Sequence, residues 1–106
     1  MESSLEQARK IIDETDREMA ALFEKRMDAV RTVAEYKKAH GMLIYDPVRE
    51  NEVINKNSDY ISDPDKREFY KRFLADTMKV SRGYQRRLLE KMRVAYSGTE
   101  GAFAFL

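Results

Sequence analysis

Residues 4–40 read SLEQARKIIDETDREMAALFEKRMDAVRTVAEYKKAH, a run without a single proline or glycine. Each end of it carries a helix signal. Ser4 with Gln7 three positions on matches a capping box, Ser3 with Glu6 offers the same signal one residue earlier, and Gly41 is a natural stop. Between them Leu5, Ala8, Ile12, Met19, Leu22, Ala29, Val30, Val33 and Ala34 recur largely at three- and four-residue spacing, the period of one helical face. The reading is a single helix of about 36 residues, about 54 Å long at 1.5 Å per residue. A compact domain of this chain length has a radius of gyration of about 13 Å, so its own remaining residues cannot wrap such a rod. A second copy of the chain is expected to cover it.

Working outward, Gly41–Tyr45 is a connector, and Asp46-Pro47 starts a second helix with Asp as N-cap and Pro at the first helical position. This helix runs through Val48, Val53 and Ile54 and fades around Asn57-Ser58. Asp63-Pro64 repeats the start signal for a third helix carrying Phe69, Phe73, Leu74, Met78, Tyr84 and Leu88, with its end expected near Lys91. The fold class is therefore all-α, with helices in the order long, short, long. Beyond it, Arg93-Val94-Ala95-Tyr96 has strand character, and Ser97–Gly101 reads as a turn followed by a small apolar run. A lone strand has no sheet to join, so the change of composition is read as a domain boundary. Residues 1–91 form one domain, and 92–106 are the truncated start of another.

Composition narrows the function classes. At 42% hydrophobic and 37% charged, the 106 residues suit amphipathic helices rather than a disordered chain. Lys+Arg (20) and Asp+Glu (19) nearly cancel, which argues against broad binding to nucleic acid or to an acidic membrane. Arg82, Arg86 and Arg87 are accordingly read as a solvated face. The absence of cysteine excludes a disulfide framework, a thiolate nucleophile and Cys-ligated zinc. The single histidine, His40, stands beside Gly41 at a helix end and reads as a solvated cap residue favoured by the helix dipole. No apolar run approaches membrane-spanning length and Met1–Lys10 is too polar for a signal peptide, so a cytoplasmic setting is expected.

Charges sit where the helical stripes should be apolar. Arg26 and Lys37 are eleven residues apart, about three turns and about 16 Å, and point to nearly the same side of the first helix. Ser81 and Gln85 stand in line with Tyr70, Leu74 and Met78 on the third, and the second opens with Asp46, Arg49 and Glu50 in its first turn. Each has an ordinary explanation: cations that snorkel or pair, interhelical hydrogen bonds, acids at a helix start. The other reading is a shared polar interior built for a ligand, since two cations facing a packed core are costly unless anions meet them. From these residues alone both readings stand. Arg9 lies 17 residues before Arg26, about 25 Å along the same helix. It cannot share a small pocket with Arg26 within one chain, but it can enter a partner's. A pocket so rich in Arg and Lys suits a small dianion, because arginine pairs carboxylates through two parallel bonds.

Over roughly Leu5–Leu89 the sequence resembles the all-α chorismate mutases. The stretches that carry the resemblance are Leu5-Glu6-Gln7-Ala8-Arg9, Asp13–Asp16, Glu24-Lys25-Arg26, Tyr36-Lys37, Asp46-Pro47-Val48-Arg49-Glu50 and Ser81-Arg82-Gly83-Tyr84-Gln85. Their combination and spacing are specific where no single one is. The tail Val94–Phe103 resembles the opening strand and turn of a prephenate dehydratase domain. Together they imply the mutase portion of a bifunctional chorismate mutase–prephenate dehydratase, serving the phenylalanine branch of aromatic amino acid biosynthesis. The resemblance implies an intertwined homodimer whose long first helices span both subunits and build two equivalent sites. By position, Arg26 and the partner's Arg9 bind the two carboxylates of chorismate. Lys37 and Gln85 lie at the ether oxygen of the breaking bond, and Glu50, with the backbone near Asp46, receives the ring hydroxyl. Arg49 and Ser81 complete the polar wall, and Asp46 orients Arg49 or the hydroxyl. An intramolecular Claisen rearrangement requires no nucleophile, metal or cofactor, and none is expected. Two other functions fit similar features: an isochorismate-pyruvate lyase of the same fold, and a non-catalytic helical dimerisation module.

Overall fold

In the computed structural model, which describes the backbone of residues 1–97 and the side chains of residues 1–91, every element is helical: α1 (Ser4–Ala39), α2 (Pro47–Ser58) and α3 (Pro64–Ser97). This is the expected all-α, long–short–long arrangement. Its boundaries follow from local chemistry. Ser3 is the N-cap of α1, its hydroxyl accepting the Glu6 amide at 3.1 Å, so the earlier of the two capping registers is used. At the other end Met42 N–H reaches Lys37 C=O at 2.8 Å and Gly41 N–H reaches Lys38 C=O at 3.3 Å. That paired closure places Gly41 at φ +64°, in the left-handed region glycine enters without a Cβ penalty. The Asp46 carboxylate accepts the Arg49 amide at 3.1 Å, with Pro47 in the first turn of α2. Between α2 and α3 the amides of Asp59, Tyr60 and Ile61 bond back onto the end of α2, and the Arg67 guanidinium holds Ile61 C=O at 3.0 and 2.8 Å.

The end of α3 corrects the sequence reading. The helix does not stop near Lys91, and Arg93–Tyr96 are helical rather than a strand. Extending an existing helix fixes one residue for each hydrogen bond gained, whereas an isolated strand has no partner for its backbone. No proline or glycine intervenes before Gly98 to break the helix. Of the turn expected over Ser97–Gly101, Ser97 is instead the last residue of α3, and the remainder with the apolar run after it lies outside the described residues.

Helix α3 is central, with α1 and α2 each packed against it. Among the described residues the buried apolar side chains are Ala34, Leu74 and Met78. The first comes from α1 and the other two from α3, so the core lies where α1's C-terminal half crosses α3. With so little buried, the single chain is extended: its radius of gyration is 18.8 Å and its extents are 67 × 31 × 15 Å. The N-terminal half of α1 leaves Leu5, Ile11, Ile12, Met19, Leu22 and Phe23 exposed. Covering each large apolar side chain is worth about 1.5–3 kcal/mol, so that face is a substantial unused store of stability. Among the described residues no helix is long and apolar enough to cross a membrane.

Candidate functional site

Where the three helices meet, a cavity of about 400 Å³ is lined by Arg26, Lys37, Asp46, Arg49, Glu50, Ser81, Arg82 and Gln85 over an apolar floor that includes Val30, Val33, Val53 and Met78. Seven of the eight residues read from the sequence as site residues are thus brought together. The eighth, Arg9, is exposed on the far part of α1 and lies outside this cavity.

Arg26 and Lys37 are held by neutral groups. Arg26 donates to the Ser81 hydroxyl, and its other terminal nitrogen lies 3.8 Å from Met78 Sδ. Ser81 donates its own proton to Thr77 C=O at 2.9 Å, so its oxygen is free to accept from Arg26. Lys37 Nζ donates to Ile44 C=O at 2.7 Å, in the connector that the α1 closure turns back toward the pocket. Among the described residues neither Arg26 nor Lys37 has a carboxylate partner. Two half-buried cations satisfied only by dipoles leave an attraction for an anion open.

Gln85 is 6% exposed, and its Oε1 is buried with no hydrogen-bond partner. Orphaned buried polar atoms are rare, and this one belongs to a residue that lines the cavity. Ser81 is buried beside it, one turn earlier on α3. Asp46 caps α2 while lining the cavity, and Arg49, exposed, forms part of the rim.

Glu50, unlike Arg26 and Lys37, has a charged partner. Its carboxylate pairs with Arg82, the two side chains being 18% and 19% exposed on the Arg and Glu sides. The Arg82 guanidinium also lies 4.8 Å from the centroid of the Tyr45 ring. This corrects the reading of Arg82, Arg86 and Arg87 as one solvated face: Arg86 and Arg87 are exposed, but Arg82 turns into the pocket. The signal was available. Taking Gln85 as the centre of the buried stripe, Arg82 lies about 60° away at 100° per residue, whereas Arg87 lies about 160° away.

His40 behaves as its position suggests. It is the exposed C-cap residue of α1, stacked on Tyr36 at 3.9 Å with Nδ1 2.8 Å from Tyr36 C=O, and remote from the pocket lining. A second hollow, about 630 Å³, is lined by Met19, Phe23, Phe73 and Val80 with Asp16, Glu24 and Asp76. It offers an anion no cation.

The charge pattern on this helical frame has a counterpart among known proteins: residues 8–86 match the model of the chorismate mutase type II family. The chain belongs to that family. The matched span takes in Arg9 and every residue lining the polar cavity. No curated protein and no solved structure gives a match. Family membership supports chorismate mutase activity, an isomerisation, with chorismate as the substrate.

Proposed function

We propose that the polar cavity rearranges chorismate to prephenate and that a second copy of the chain completes it. The observation that carries this reading is the pair of half-buried cations, Arg26 and Lys37, with no carboxylate against them among the described residues. Four cations (Arg26, Lys37, Arg49, Arg82) and two anions (Asp46, Glu50) line the cavity, a balance of 4 − 2 = +2. A small dicarboxylate cancels that charge.

The reaction asks for geometry and electrostatics rather than a nucleophile. One carbon–oxygen bond breaks and one carbon–carbon bond forms within a single molecule. The protein must hold the folded-back conformer and stabilise negative charge as it gathers on the ether oxygen. Arg26 and Arg9 of the partner subunit take the two carboxylates. Lys37, with two N–H groups left after its bond to Ile44, and the Gln85 amide aim at the ether oxygen. Donors fixed in advance stabilise the transition state more than the substrate, because the charge they meet develops only there. Glu50 accepts the ring hydroxyl with the backbone near Asp46, and Ser81 and Arg49 close the polar wall.

The dimer is supported by the apolar stripe on the N-terminal half of α1 and by Arg9, too far along the helix for its own pocket. A finer reading places the chain in the phenylalanine branch, with residues 92–106 opening a prephenate dehydratase-like region. Its support is the sequence resemblance of Val94–Phe103. Loss of chorismate's ultraviolet absorbance, with prephenate as product and solution mass measured alongside, tests the proposal. Inert chorismate overturns it, and pyruvate released from isochorismate without prephenate formation reassigns the pocket to a lyase.

A further inference from the structure

Among the described residues the pocket's one acid–base pair joins three segments. Glu50 comes from α2, Arg82 from α3, and Tyr45, on whose ring the guanidinium lies, from the connector. Arginine suits this place because its planar fork bonds a carboxylate along its edge while its face covers an aromatic ring. The pair uses Glu50 Oε1. Among the described residues Glu50 Oε2 has no hydrogen-bond partner, so one oxygen is anchored and the other is left for a ligand.

Charge balance shows what this accomplishes. Arg82 and Glu50 cancel, and the remaining lining, Arg26, Lys37 and Arg49 against Asp46, carries 3 − 1 = +2. Without Arg82 the balance falls to 3 − 2 = +1. A half-buried carboxylate deprived of its partner would turn to the nearest cations, which are those meant for the incoming anion. We propose that Arg82 is the dedicated counter-ion of Glu50, a positioning residue that keeps this carboxylate from neutralising the substrate-binding cations. This rests on the functional reading above, since it assumes a dianionic substrate.

Steady-state kinetics of chorismate loss for the unsubstituted chain, Arg82→Met, Glu50→Gln and the double variant test it. Arg82→Met should raise KM about tenfold, equivalent to about 1.4 kcal/mol. In the Glu50→Gln background there is no carboxylate for Arg82 to hold, so the double variant should show the KM of Glu50→Gln. Such a rescue is a coupling between the two sites that independent roles do not produce. If the double variant keeps the raised KM, Arg82 touches the substrate itself and the inference fails. An unchanged KM in Arg82→Met overturns it as well, leaving the pair a structural tie. Should Arg82→Met not fold, Arg82→Lys, which keeps the charge, is expected to hold KM near the unsubstituted value, and a tenfold rise there would count against the counter-ion role. No turnover by the unsubstituted chain would instead remove the functional reading, an outcome distinct from any KM pattern.

Discussion

Helix α1 is one unbroken element with two unlike halves. From Arg26 to Ala39 it packs against α3, buries Ala34 and places Arg26 and Lys37 in a polar cavity. From Ser4 to Phe23 it is exposed throughout, although Leu5, Ile11, Ile12, Met19, Leu22 and Phe23 keep the apolar spacing of a buried face. Helical periodicity tells which side of a helix seeks cover, not which chain supplies it. The C-terminal half finds its cover in the same chain. The N-terminal half carries the same kind of stripe with nothing over it, which is where the proposed second copy belongs.

Substitutions in the two halves should separate chemistry from assembly. Lys37→Ala, in the covered half, is expected to lower turnover by about 10²–10³-fold, in line with about 3–4 kcal/mol for a lost donor to developing charge. Its solution mass should stay that of the unsubstituted protein, and near-normal turnover would remove Lys37 from the chemistry. Leu22→Asp tests the other half. On a single chain this position is 63% exposed, and a charge there should change stability by no more than about 0.5 kcal/mol. Beneath a partner it should cost about 3 kcal/mol and shift the sedimentation mass toward the monomer. Arg9→Ala crosses the divide, because it lies in the uncovered half but is assigned to the partner's pocket. A rise in KM of about tenfold at unchanged mass is expected, corresponding to one lost carboxylate contact of about 1.4 kcal/mol. Smallest is Ser3→Ala, which removes the cap of the exposed end; denaturant titration should show a loss of about 1 kcal/mol with turnover untouched.

Much of this was legible in the sequence because helix ends are written in local chemistry. Ser3, Gly41, Asp46-Pro47 and Asp63-Pro64 set four of the six boundaries through hydrogen bonds and backbone angles spanning a few residues. The end of α3 has no such signal before Gly98. A stretch such as Arg93–Tyr96, whose composition suits either state, follows the helix that leads into it. In the site, Arg26 and Lys37 stood out because they interrupt an apolar stripe. Arg82 escaped notice by the opposite route: it stands near two other arginines, and a cluster of like charges reads as surface unless each position is placed by its angle around the helix. Its pairing with Glu50, 32 residues away, belongs to tertiary structure and leaves no local trace.

The continuity of α1 also limits how this chain can change in length. Residues 10–25 contribute nothing to the lining of the polar cavity, yet they fix the separation and relative phase of Arg9 and Arg26. Inserting one residue there turns one arginine about 100° and shifts it about 1.5 Å relative to the other. The segment between the arginines therefore acts as a molecular ruler, closed to insertion and deletion.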